Sequence, residues 1–248
     1  MLERSVPDLF AQIPPDLHEK AGTIMPRRIW RCLDLLDQRL DGLVVAAEAV
    51  CRRHNVSAIL RSAEAFGLHE AHLISNDFVP SLGAAKGAER WLDLKFHETT
   101  EGWVQIMRSR GHKIYVADLS EDAFTPESVP VDKPLAVLFG GELAGVSTTA
   151  RNLADGVISV PMVGVTQSLN VSVAAAVVLN RLAQRRRQIP GCIGIQGDRR
   201  ADFVALLTQG QQSAQKQTSQ HSFAVHFPPP LIPDSVCLRL RPALVQLA

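Results

Sequence analysis

The sequence predicts an α/β protein with a mostly parallel sheet flanked by helices. Three short apolar runs, at residues 43–47, 113–117 and 134–139, are typical of strands buried on both faces. Segments with helical spacing separate these runs, and strands that alternate with helices favour parallel pairing. The 248 residues are 46% hydrophobic and 21% charged, a composition that suits one substantial core.

The remaining elements follow from local signals along the chain. Pro26 is a favoured first helical residue, and apolar residues recur at helical spacing from there to Gly42. Asn55 is placed to cap a helix that runs to Phe66, and Gly67 can end it. We also expect strands at 71–75 and 157–160, a glycine-containing loop at 77–90, and helices at 101–110, 148–154 and 171–187.

These elements divide the chain into three parts. Residues 1–42 form a lead-in and a basic helix, and residues 43–188 hold the α/β domain. Residues 189–248 form an extension of unknown role, with a Gln/Ser-rich stretch at 209–220 that is typical of a linker or loop.

The composition argues against several classes of protein. Lys and Arg total 26 against 25 Asp and Glu, so the net charge is +1 and any RNA contact must be a local basic patch. The four cysteines and eight histidines show neither CxxC nor HExxH spacing, so we expect no metal site and no disulfide framework. We also expect no signal peptide and no membrane span, which together with the cysteine pattern indicates the cytoplasm.

Two segments that follow predicted strands could carry chemistry. In residues 52–61, Asn55 and Arg61 are polar groups near a helix start, although a helix cap and a solvated arginine are the simpler explanation of this segment taken alone. In residues 138–145, Gly140 and Gly141 precede Glu142 and would let the backbone approach a ligand. An ordinary turn after a strand is the alternative, and the chain has no GxGxxG that would indicate a Rossmann site.

Two further segments surround the last long helix. Ser168 and Asn170 stand just before it, where either could simply be its N-cap. Arginines at 181, 185, 186 and 187 lie near its end, where they could complement the helix dipole or contact phosphate.

Taken in order, these motifs resemble those of a known family. N-x-x-x-x-x-R, then F-G-G-E-x-x-G, then S-L-N-V-S-V-A-A-A is similar to the three motifs of the SPOUT-class RNA ribose 2′-O-methyltransferases. The resemblance covers residues 43–187, and its most specific part is 167–176. The basic helix before the first strand, without a separate RNA-binding domain, resembles most the tRNA (guanosine-18) 2′-O-methyltransferase subgroup, TrmH.

The resemblance implies a fold, a donor and a set of functional residues. The fold would contain a deep C-terminal trefoil knot, and the protein would be a homodimer that binds S-adenosylmethionine, releases S-adenosylhomocysteine and acts on tRNA. The donor-binding residues would be Ala117, Gly140, Val160, Met162 and Leu169. The catalytic positions would be Asn55, Arg61, Glu142, Ser168 and Asn170. The candidates for holding tRNA are Arg27, Arg28, Arg31, His54 and Arg186.

Physical chemistry limits what two of these residues can do. A guanidinium stays protonated in proteins, so we interpret Arg61 as a group that grips a phosphate and orients the 2′-hydroxyl, with the phosphate or solvent taking the proton. Glu142 is better suited to bracing the glycine turn than to acting as a base. Methylation of ribosomal RNA, methylation at another tRNA position and a non-catalytic RNA-binding knot protein are the alternatives.

Overall fold

The computed structural model describes residues 34–74, 88–142, 144–195 and 200. The chain divides into two units, Met1–Gln211 and Gln212–Ala248, and all described residues belong to the first. Their strands form one six-stranded sheet of order β3-β2-β1-β5-β4-β6, in which all pairs are parallel. The strands are β1 (Leu43–Glu48), β2 (Glu70–Ile74), β3 (Asp93–His97), β4 (Lys113–Ala117), β5 (Leu135–Phe139) and β6 (Gly156–Ile158). The predicted parallel α/β fold is confirmed.

Helices cover both faces of this sheet. They are α1 (Arg53–Ala65), α2 (Thr100–Ser109), α3 (Thr148–Leu153) and α4 (Val171–Arg186), with a 3-10 turn at Ala88–Trp91 and a helical segment at 34–38. On β1, Val45 packs in one cluster with residues of α1 and α4, whereas Val44 packs in another with residues of α2 and α3. Successive side chains of a strand point to opposite faces. All of β5 and the first five residues of β1 are apolar because both faces of the sheet are buried there.

Two local predictions differ from the structure. Asn55 is not the cap of α1, because the N-cap is Arg52, which makes no side-chain capping bond, and Asn55 is the third helical residue. The edge strand β3 was not predicted, because Asp93–His97 alternates polar and apolar residues and is partly exposed. The end of α1 agrees better, since Gly67 has the positive φ of +89° that a helix-ending glycine adopts.

The arginines at the end of α4 donate hydrogen bonds to backbone carbonyl oxygens of other segments. The Arg186 side chain is buried and donates to the carbonyl oxygens of Asp41 (3.3 Å), Val131 (2.5 Å) and Lys133 (2.9 Å). A Cβ on Gly42 would lie 2.4 Å from the Arg186 guanidinium, so the chain packs directly against it. This placement corrects the predicted tRNA contact at Arg186, because its donors satisfy backbone carbonyls inside the fold. Within the described ranges, no helix has the length and apolarity needed to cross a bilayer.

Candidate active site

A cavity of about 400 Å³ opens at the carboxyl edge of the sheet. The last residues of β4, β5 and β6, which are Ala117, Phe139 and Ile158, all line it. Strand β1 lies next to β5, yet the chain leaves β1 toward β2 on one side and leaves β5 toward β6 on the other. In open parallel sheets, ligands bind at the carboxyl ends of the strands, near the point where the strand order reverses. The strand order therefore also indicates a ligand site at this edge.

The turn after β5 is packed so tightly that only glycine fits at two positions. A Cβ on Gly140 would lie 2.1 Å from the carbonyl carbon and oxygen of Gly145, and a Cβ on Gly141 would lie 2.6 Å from the carbonyl oxygen of Ala49. Gly145 closes the turn with a φ of +67° and donates its N–H to the Gly141 carbonyl at 2.9 Å. The glycines therefore let the chain pack against itself, and they also leave bare backbone along the cavity.

A buried carboxylate holds the far end of this turn. Glu48, the last residue of β1, accepts hydrogen bonds from the Ser147 N–H (2.8 Å) and the Ser147 hydroxyl (2.7 Å), and also from the Thr100 hydroxyl. Ser147 caps α3, and Thr100 is the first residue of α2. Glu48 thus fixes the glycine turn relative to both helices on that face.

Three of the predicted catalytic residues form one hydrogen-bonded chain. The Asn55 side-chain amide donates to the Glu142 carboxylate at 2.5 Å, and the Asn170 side-chain amide donates to the side-chain oxygen Oδ1 of Asn55 at 3.2 Å. Asn170 also accepts from the N–H and the hydroxyl of Ser172, so it is the N-cap of α4 as well. Asn55 is 2% exposed. Through its two hydrogen bonds, the buried Asn55 amide joins the loop that holds Glu142 to the loop that holds Asn170.

The hydrogen bonds at Glu142 keep its carboxylate charged. Partial burial alone would raise the pKa of Glu142, but backbone N–H groups of Glu142 and Arg52, the Asn55 amide and the Arg52 charge together lower it below its usual value. A carboxylate held in its charged form is a weak base. Its geometry therefore fits a brace for Asn55 and the glycine turn.

The cavity brings together most residues that the motifs named. The five predicted donor-binding residues line it, as do Glu142, Ser168 and Asn170. Arg52, Asp118, Leu119 and Ser159 also line it and were not predicted. Asp118 and Leu119 follow the end of β4, Ser159 follows the end of β6, and Arg52 lies in the loop after β1. The rule that ligands meet the carboxyl ends of strands could therefore have found them.

Other predicted residues lie elsewhere. Arg61 is exposed on α1 outside the cavity lining, and its guanidinium makes no hydrogen bond or ion pair with another described residue. His54 is exposed at the start of α1. Arg27, Arg28 and Arg31 lie outside the described residues. Within the described part of the chain, no cluster of three or more His, Cys, Asp or Glu side chains could hold a metal ion.

Comparison with known proteins places this site in a family. The SpoU rRNA Methylase family model matches residues 42–180. A tRNA (guanosine(18)-2′-O)-methyltransferase of Thermus thermophilus is 43% identical over 159 residues, which is 63% of this chain and 81% of that protein.

Two solved structures are similar in fold. The TrmH/SpoU tRNA modifying enzyme of A. aeolicus superimposes with a TM-score of 0.67 at 28% identity, covering 74% of this chain and 96% of that one. The SpoU methyltransferase AviRb of Streptomyces viridochromogenes, in complex with the cofactor AdoMet, gives a TM-score of 0.52 at 27% identity over 63% of this chain and 65% of that one. The match spans more than half of the chain and includes the strands, the glycine turn and the start of α4 that build the cavity, so the chain belongs to the SpoU rRNA methylase family.

Proposed function

We propose that this protein transfers a methyl group from S-adenosylmethionine to the ribose 2′-hydroxyl of guanosine 18 in tRNA. The observation that carries the proposal is the cavity at the carboxyl edge of the sheet, where the glycine turn and the Asn55–Glu142–Asn170 chain meet. The relative that is 43% identical bears the name of this activity. Its similarity supports the tRNA target more directly than the cavity does, because the cavity holds no information about RNA shape.

The residues of the cavity fit an S-adenosylmethionine molecule. A volume of about 400 Å³ lies in the range of small-molecule sites, which are largely apolar with a few polar groups. Bare backbone at Gly140 can hydrogen-bond an adenine edge or a ribose, and Val160, Met162 and Leu169 offer apolar contacts. When bound, S-adenosylmethionine supplies an electrophilic methyl group on a sulfonium.

The protein side chains then mainly position the target ribose. Ser168 and Asn170 are exposed at the cavity mouth, where a hydroxyl and an amide can hydrogen-bond the incoming nucleotide. Asn55 and Glu142 fix Asn170 by the bonds described above. Because the Glu142 carboxylate is held in its charged form, we assign the proton of the 2′-hydroxyl to an RNA phosphate or to solvent.

Arg61 is exposed outside the cavity lining, and we therefore propose that a second copy of the chain supplies it, so that the protein works as a homodimer. Leu169, Val173 and Val177 recur every four residues and are 37%, 48% and 38% exposed, so an apolar face beside the cavity is open to a partner. Two inactive variants test this arrangement. Arg61→Ala and Asn170→Ala proteins should each lose turnover, and mixing them should restore part of it, because one mixed site would be intact. If mixing restores nothing while hybrid dimers form, Arg61 acts within its own chain or not at all.

Three further parts of the proposal follow from the family resemblance. The segment that ends in α4 would form the deep trefoil knot, and the protein would work in the cytoplasm. Arg27, Arg28, Arg31 and His54 would hold tRNA, as local basic residues in a chain of net charge +1.

Incorporation of labelled methyl into unmodified tRNA transcript, with mapping of the modified nucleotide, tests the whole proposal. We expect 2′-O-methylguanosine at position 18, and a transcript with 2′-deoxyguanosine there should accept no label. Label at another ribose would keep the chemistry and overturn the target. Absence of label in both tRNA and ribosomal RNA, with no binding of S-adenosylmethionine, would favour a non-catalytic RNA-binding protein.

A further inference from the structure

The charged groups that line the cavity are unequally engaged. Asp118 pairs with the Arg151 guanidinium, and Glu142 accepts from Asn55. The Arg52 guanidinium donates no hydrogen bond to a residue in the described ranges and forms no direct ion pair there, although its charge acts on the neighbouring Glu142 carboxylate and Arg52 lines the same cavity. An arginine with five unused donors at the mouth of a site is suited to binding an anion from outside.

The position of Arg52 points to the outer part of the site. Arg52 is exposed, whereas the strand ends Phe139 and Ile158 that form the cavity floor are buried. It is the N-cap of α1, in the loop that follows β1, and its backbone N–H bonds the Glu142 carboxylate. The base of the Arg52 side chain is thereby fixed next to the Asn55–Glu142–Asn170 chain, while its guanidinium remains available.

We propose that Arg52 binds a phosphodiester of the RNA backbone beside the target ribose and so sets the nucleotide against Asn170. The inference rests on the proposed function and names the group that positions its substrate. A phosphate suits a planar guanidinium, which can bind two of its oxygens at once. The carboxylate of the methyl donor is the other anion that could reach the site, and we favour the phosphate because Arg52 lies at the exposed rim.

Arg53 provides a matched control for this proposal. It is the next residue in the chain, carries the same charge and is exposed, but it does not line the cavity. We therefore compare Arg52→Ala, Arg52→Lys and Arg53→Ala, measuring the Kd for tRNA transcript over a range of salt concentrations and the Kd for S-adenosylhomocysteine by calorimetry. Circular dichroism verifies that each variant is folded.

We expect Arg52→Ala to weaken tRNA binding about tenfold or more and to lower the slope of log Kd against log salt by about one. The Kd of Arg52→Lys for tRNA should lie between those of the wild type and Arg52→Ala, since lysine keeps the charge but cannot bind two phosphate oxygens in the same plane. Binding of S-adenosylhomocysteine should stay unchanged, and Arg53→Ala should alter tRNA binding less than about threefold.

Three results would overturn the inference. Equal losses of tRNA affinity for Arg52→Ala and Arg53→Ala would mean that both arginines act by general electrostatic attraction and that Arg52 makes no specific phosphate contact. Weaker binding of S-adenosylhomocysteine with unchanged tRNA binding would assign Arg52 to the donor carboxylate. If Arg52→Ala binds both tRNA and S-adenosylhomocysteine as the wild type does, Arg52 contacts neither ligand. Failure of the proposed function is detected separately, as wild-type protein that binds tRNA without methylating it.

Discussion

Replacing Gly140 by alanine should damage the donor site more than its single methyl group suggests. The added Cβ would lie 2.1 Å from the Gly145 carbonyl carbon and oxygen and 2.2 Å from the Val146 nitrogen. Nonbonded heavy atoms prefer separations of about 3.5 Å or more, so the turn must retreat by about 1.4 Å. All of these neighbours are backbone atoms, and no flexible side chain can move aside instead.

The cost of this displacement can be estimated. Overpacking of a closely packed region destabilises by about 1–3 kcal/mol, and we expect Gly140→Ala to lie near the upper end because the turn is also held by Glu48. The Gly140 backbone lines the cavity, so binding of S-adenosylhomocysteine should weaken at least about tenfold, or about 1.4 kcal/mol.

Urea denaturation and calorimetric titration with S-adenosylhomocysteine measure the two effects. Gly164→Ala is the matched control, since no atom lies within 4 Å of its added Cβ and its φ is not in the left-handed region. It should change the free energy of unfolding by less than about 0.5 kcal/mol. Wild-type stability and donor binding in Gly140→Ala would refute the steric reasoning.

Three other predictions concern groups away from the cavity floor. Arg186→Ala should destabilise the fold by about 2–4 kcal/mol, because three backbone carbonyls lose a buried charged donor; a variant of normal stability in urea with weakened tRNA binding would restore the RNA-contact interpretation. Glu48→Gln should lower the free energy of unfolding in urea by about 2 kcal/mol and weaken S-adenosylhomocysteine binding, since Ser147 and Thr100 lose a charged acceptor. Unchanged binding would show that the glycine turn keeps its shape without the Glu48 carboxylate. Burial lowers the pKa of His97 and of His112 to about 4, with help from the charges of His72 and Arg110 respectively. Below about pH 6.5 the unfolded chain binds protons that the folded chain does not bind until about pH 4, so stability should fall as the pH decreases through that window. We expect a loss on the order of 2 kcal/mol between pH 7 and pH 5, allowing for solvent screening at half-buried His97, and a shallower loss in His97→Gln; urea denaturation at both pH values that shows no difference would contradict the assignment.

The fold class was predictable because its signals are local. The strands β1, β4 and β5 are apolar runs that can be identified from their own residues, and Gly67 marks the end of α1 by its left-handed φ. Strand β3 has no such local signal and was not predicted. It lies at a partly exposed edge of the sheet, and its residues alternate between polar and apolar. Its pairing with β2 depends on the sheet beside it.

Part of the candidate site was also predictable. The motif residues stand directly after strands or before α4, and in a parallel sheet these positions meet at one edge. The sequence alone left Asn55 as a helix cap or a functional group. It could not decide between them, because its partners Glu142 and Asn170 lie 87 and 115 residues away.

The sequence by itself determined the alternation of strands and helices, the glycine turn and the order of the motifs, all of which depend on neighbouring residues. Only the tertiary structure decided which polar groups are already engaged within the fold. It buried Arg186 among backbone carbonyls and left Arg52 exposed beside the cavity, with no carbonyl acceptor for its guanidinium among the described residues. Both are arginines next to a helix end in the sequence. They differ because packing brings carbonyl acceptors to one of them, and such acceptors come from parts of the chain that no local pattern encodes.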